Sequence, residues 1–171
     1  PTNRGDDFGT ISSTNGIRLT RYIGEDDRAY DGMIYEDNTI LITYRNPNNV
    51  EGVQDARGIM ISSDPLVSNV VVRNNVVKVI AEDRHVPAGA CIVVQGIPER
   101  EEHLASTDFA PGQYLADDLP VRFENNDLTS NIGNIRMGDN YGAGSNAIFI
   151  GNTLRKVGSH PAYRTIMTGF W

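Results

Sequence analysis

MIYEDNTI (33–40), VVVRNNVV (70–77), VRFENNDL (121–128) and AIFIGNTL (147–154) are four versions of one eight-residue phrase. Each turns on an asparagine: Asn38, Asn75, Asn126 and Asn152. Five residues upstream stands Met33, Val70, Val121 or Ala147, and three upstream stands Tyr35, Val72, Phe123 or Phe149. Two downstream come Ile40, Val77, Leu128 and Leu154. An alternating apolar strand therefore runs into a tight turn and out into another apolar strand, four times over. Self-similarity at a spacing of a few tens of residues is the mark of a repeat architecture.

A second repeat interleaves with the first. GIRLTRY (16–22), GIMISSD (58–64), CIVVQGI (91–97), NIRMGDN (134–140) and TIMTGFW (165–171) align on Ile17, Ile59, Ile92, Ile135 and Ile166. The aligned isoleucines lie 42, 33, 43 and 31 residues apart. The strands are constant and the loops absorb the variation. By the period-two rule, the isoleucines form one inward column, and Leu19, Ile61, Val94 and Met137 form another. Arg18, Met60, Val93, Arg136 and Met167 then face out. No single unit buries its apolar side alone, whereas piled units make a continuous core.

A tight bend between strands needs a residue that tolerates the left-handed conformation, and Asn does so. Stacked asparagines also bond to one another and to turn backbone, so Asn38, Asn75, Asn126 and Asn152 read as scaffold. The expected fold class is all-β: a coil of about four to five turns with three short strands each and variable loops. The coil covers 16–171 with its last turn incomplete, after an N-terminal segment, 1–15, that can act as a cap. The one helical pattern, PEREEHLAS (98–106), is at most a short surface helix inside the longest loop.

The Asn-turn coil resembles the single-stranded right-handed parallel β-helix of pectate-lyase-like proteins. That superfamily includes polysaccharide lyases, glycoside hydrolases, epimerases and phage tailspikes. The resemblance implies a fold and leaves the activity open, because this scaffold hosts many chemistries.

Composition narrows the partners. The 171 residues make one domain's worth of chain with a formal net charge of −7, and Lys occurs only as Lys78 and Lys156. Nucleic acid, which needs a basic face, is not an expected partner. Cys91 alone gives no internal disulfide framework. No apolar run approaches the ~20 residues of a membrane-spanning helix. A chain opening at Pro1 without Met reads as a processed form or a piece of something longer. Low charge with abundant Asn and Gly reads as secreted or cell-surface, of microbial or viral type.

Loops of varying length flank the isoleucine strands on both sides, and two loop walls beside a sheet make a groove. In the resembled enzymes such a groove holds an extended polysaccharide over the catalytic groups. Arg136, Arg18 and Asp139 are the catalytic candidates: the two arginines on the floor can meet a uronate carboxylate, and Asp139 at a strand end offers a carboxylate. Thr20, Gln95 and Asn134 are candidate substrate contacts on the floor, and Tyr22 is an aromatic able to stack on a sugar ring. Arg57, Tyr141 and Arg164 are candidate contacts from the walls. Alternation also places Gly58, Cys91 and Thr165 outward.

Glycoside hydrolysis needs two carboxylates roughly 5–10 Å apart, and no spacing here demands such a pair. The Gly-His-Gly of pectin-hydrolysing enzymes is absent, as is the Arg-x-Pro-x-x-Arg of pectate lyases. The acidic runs 5–7, 24–32 and 116–118 could hold calcium, but 24–32 lacks the EF-hand pattern and solvated loop charge is the better reading, so no cofactor is expected, with calcium as the alternative. Two functions stay open. One is binding or processing a polysaccharide in the groove. The other is a non-catalytic subunit of an extracellular fibre, surface or tail assembly, self-associating through uncapped coil ends.

Overall fold

The computed structural model describes residues 13–19, 30–44, 55–63, 67–82, 88–96, 120–137, 147–160 and 163–168. All regular structure among them is β, in 15 strands. The strands fall into three parallel sheets that repeat a three-strands-per-turn pattern, a parallel solenoid-like arrangement. The first sheet stacks β1 (Ser13–Leu19), β5 (Asp55–Ser63), β9 (Ala88–Gly96), β12 (Gly133–Met137) and β15 (Arg164–Thr168). The second stacks β3 (Ile34–Glu36), β7 (Val71–Arg73), β10 (Val121–Glu124) and β13 (Ala147–Ile150). The third stacks β4 (Thr39–Tyr44), β8 (Val76–Ala81), β11 (Asp127–Ser130) and β14 (Thr153–Lys156). A small fourth sheet pairs β2 (Tyr30–Asp31) with β6 (Val67–Ser68). Among the described residues no helix is long and apolar enough to cross a membrane.

Register follows the sequence alignment residue for residue. Ile17 lies beside Ile59, Ile59 beside Ile92, Ile92 beside Ile135, and Ile135 beside Ile166. In the second sheet Tyr35, Val72, Phe123 and Phe149 form one column. The Phe123 and Phe149 rings stack with centroids 4.7 Å apart. Ile59, Ile92, Val72, Phe123, Val77 and Leu128 share one buried core drawn from all three sheets. Removing that apolar area from water drives the stacking. Ile166 ends its column 54% exposed, since no further strand among the described residues covers β15.

Two expectations are corrected. First, the left-handed residue of each tight turn is the one before the aligned asparagine: Asp37, Asn74, Asn125 and Gly151, with φ of 57°, 55°, 53° and 64°. These are residue types that visit this region, and the asparagine after each is released for another task. Second, alternation along the first sheet slips by one residue. Pairing runs Asn15 to Arg57, skips Gly16 and Gly58, and resumes at Ile17 to Ile59. It likewise skips Gly58 and Cys91, then Asn134 and Thr165. At this corner two successive residues face in. A Cβ on Gly58 would strike the core side chain of Val77 and the Cys91 carbonyl, while Ile59 also points into the core. Gly58, Cys91 and Asn134 therefore face the interior, and Arg57 moves from the groove wall to the outer face of the sheet.

Candidate functional site

The turn asparagines form a ladder. Asn38 donates from its backbone N and Nδ2 to Oδ1 of Asn75, at 3.0 and 2.9 Å. Asn75 does the same to Asn126 at 3.0 and 2.9 Å, and Asn126 to Asn152 at 2.9 and 2.8 Å. The other Nδ2 hydrogen runs back to a strand carbonyl of the preceding coil: Asn75 to Tyr35, Asn126 to Val72, Asn152 to Phe123, at 3.0, 3.0 and 2.8 Å. Asn75 and Asn126 are fully buried, so these bonds satisfy amide groups that would otherwise be stranded. The scaffold role read from the sequence has this geometry.

The expected groove floor is the outer face of the first sheet. Arg18, Met60, Val93 and Arg136 lie side by side on successive strands. With strands ~4.8 Å apart, Arg18 and Arg136 are separated by about 14 Å at Cα. Between them the face is apolar and closed: Met60 and Val93 are each 1% exposed and Ala90 is 0% exposed, as one cluster. Arg57 donates from Nη1 to the Met60 sulfur at 3.0 Å. Arg136 is 6% exposed. Arg18, Arg57 and Arg136 each have an interaction partner within the chain. Arg18 is exposed, as is Arg164, whose Nη1 donates to the Tyr163 carbonyl at 2.9 Å. The structure thus brings Arg18, Arg57, Arg136 and Arg164 to one face, around an apolar centre out of reach of water.

Asn134, expected on the floor, is buried at the corner. Its Nδ2 donates to the carbonyls of Leu128 and Arg155 at 2.8 and 3.2 Å, tying the first sheet to the third. Its Oδ1 accepts from the Tyr163 hydroxyl at 2.6 Å. Lys156 lies over the Tyr163 ring, 4.9 Å from the centroid, and closes this pin. Cys91, stacked at the same corner, donates to the carbonyls of Val77 and Thr129 at 3.5 and 3.3 Å. Burial pushes its thiol up to about 12, which makes it a core residue and a poor nucleophile.

Gln95 lies on β9 beside Ser62. Thr20, Tyr22, Asp139 and Tyr141 lie outside the described residues, as do residues 1–12, the proposed helix 98–106 and most of the acidic runs. Among the described residues, no three His, Cys, Asp or Glu side chains converge to hold a metal ion. Glu36, Glu124 and Asp127 instead pair with Arg73, Arg122 and Arg155 on the outer faces of the second and third sheets. Arg122 and Glu124 lie on one strand, while the other two pairs cross strands; sequence reasoning missed them all, although Glu36 and Arg73 stand at one position of the repeated phrase and reveal themselves once its copies are aligned.

A scan against protein-family models, a search of curated proteins and a search of solved structures found no match to this chain.

Proposed function

We propose that this chain is a non-catalytic structural module, a right-handed parallel β-helix of the pectate-lyase-like kind, that builds an extracellular fibre, surface or tail assembly by adding coils at its ends. One observation carries the reading. The centre of the face expected to hold substrate is a buried apolar cluster of Met60, Ala90 and Val93, whereas an apolar concavity of about 220 Å³ is lined by Ile135, Met137, Phe149, Leu154 and Ile166, together with Gly151 and Asn152. Apolar surface of this kind favours association. Secretion or display at a microbial or viral surface belongs to the same proposal. Electron microscopy and size-exclusion chromatography across protein concentration test it. Filaments or oligomers that grow with concentration support it, and a monomer at every concentration overturns it.

A second reading has its own support. Arg18, Arg57, Arg136 and Arg164 share one face of a chain whose net charge is −7. Arg18 and Arg164 are exposed, and guanidinium groups on one face suit the carboxylates of an acidic polysaccharide. Binding to a panel of uronate polymers, with Arg18→Ala and Arg136→Ala beside the unaltered protein, decides it. Equal behaviour of all three on every polymer removes the arginines from the assignment.

A further inference from the structure

The outer face of the second sheet looks sideways from the stack. A coil added at either end would lie beside it in the plane of the sheet and cover none of it. Each strand turns two residues outward. One column is Ile34, Val71, Arg122 and Ile148, and the other is Glu36, Arg73, Glu124 and Ile150. Ile34, Ile148 and Ile150 are 54%, 43% and 50% exposed. Large apolar side chains gathered on one exposed face mark an interaction surface. Between the isoleucines the charges are joined within the chain, Arg73 to Glu36 and Arg122 to Glu124.

The charge of this face is uneven along the stack. Outward residues give β3 one negative charge, Glu36, and β7 one positive charge, Arg73. On β10 Arg122 and Glu124 cancel, and β13 offers only Ile148 and Ile150. Asp37, exposed in the adjoining turn, adds to the negative row. A copy of the face laid on it in the same direction sets negative row on negative row and positive on positive, which is repulsive. A copy turned end for end sets β3 on β13 and β7 on β10, so no like-charged rows meet. Ile34 then lies over Ile148 of the second copy, and Arg73 over its Glu124. Two-fold symmetry makes each of these crossings twice.

We infer that the outer face of the second sheet is a docking surface for a second copy of this chain, side by side and end for end about a two-fold axis. The contact goes beyond end-to-end growth and does not depend on it. Isologous pairing closes at two molecules, whereas addition at the ends does not close. The face measures about 19 by 10 Å, small beside the ~800 Å² per partner of a standard interface. The contact is accordingly weak between single molecules and gains strength where molecules are already held side by side.

Charge reversal across the axis tests this. The variants are Arg73→Glu and Glu124→Arg, followed by sedimentation velocity up to about 1 mM. Each alone sets like charges across the contact and should associate at least about tenfold more weakly than the unaltered chain. An equal mixture of the two restores both crossings and should return to within about threefold of it. Repulsion inside one chain cannot produce that recovery, and both variants carry the same ends, so end-to-end growth cancels from the comparison. Circular dichroism confirms that each variant is folded. Ile34→Asp mixed with Ile148→Lys, at two exposed positions, repeats the measurement without touching an ion pair, and recovers only in the end-for-end arrangement. An unaltered chain that never associates, single variants that match it, or mixtures no better than the single variants overturn the inference. Filaments without recovery in the mixtures leave the end-to-end proposal standing alone, while recovery with nothing larger than a dimer does the reverse.

Discussion

The tight turn between the second and third sheets and the corner within the first sheet solve the same problem in different ways. Both must bend the chain and satisfy backbone groups that sit away from water. The turn uses a fixed pair: a left-handed Asp, Asn or Gly, then an asparagine whose amide replaces the bonds the bend breaks. The corner has no fixed residue. Gly16, Gly58, Cys91, Asn134 and Thr165 occupy it in turn. At the corner the chain turns by letting two neighbouring residues face inward, and whichever side chain lies there finds its own partner. A bend met by one repeated hydrogen-bond pattern keeps one residue type; a bend met by a register slip changes residue from turn to turn, down to Gly58, where a Cβ has no room.

The largest effect expected from this contrast is at the middle of the ladder. Asn126→Ala removes two accepted bonds and two donated bonds from a buried site. Orphaned buried donors make the cost about 3–5 kcal/mol in urea unfolding. The same change at Asn38, a half-buried rung whose side chain only donates to the ladder, costs about 1–2 kcal/mol. Equal losses at the two positions would break the account of the ladder.

At the corner, Cys91 gives a pH signature. The folded thiol holds its proton up to about 12, against an ordinary value of 9.0. The native state therefore binds the proton more tightly than the unfolded chain does. The stability this contributes is whole below pH 9.0 and is lost progressively as pH rises toward 12. Cys91→Ala should lower stability at neutral pH through the lost packing, yet flatten the alkaline slope of the unfolding free energy. An unchanged slope means that the thiol already ionises in the folded state.

Smaller effects sharpen the turn itself. Asn125→Val places a β-branched residue at φ 53° and should cost about 1–2 kcal/mol, while Asn125→Gly is close to neutral. The smallest belongs to the outer ion pairs. Arg73 donates from Nε to Glu36 at 2.7 Å, but both side chains are about two-fifths exposed. Glu36→Gln should change stability by less than about 0.5 kcal/mol, and less again in high salt.

The stacking register was legible because side chains of like shape must meet on neighbouring strands. Ile17, Ile59, Ile92, Ile135 and Ile166 therefore align in sequence as they do in space. Which turn residue bends left-handed was misread, since Asn74–Asn75 and Asn125–Asn126 offer two asparagines with equal propensity. Only the hydrogen bonds tell them apart. The orientation of Arg57, Cys91 and Asn134 was hidden for another reason. Period-two reasoning carries a phase along a strand, and one skipped pair inverts every residue before it. The closed outer face around Met60 and Val93 was equally out of reach, because alternation says which way a side chain points and nothing of what meets it there.

The series arrangement of coils has a mechanical consequence. Each coil is held by its neighbours alone, so tension applied at the two ends peels the molecule one turn at a time. Successive turns hold 42, 33, 43 and 31 residues between aligned isoleucines. Each rupture should then lengthen the chain by about 100–150 Å, at ~3.4 Å per extended residue. A force trace would show a short sawtooth whose unequal teeth report the loop lengths in order.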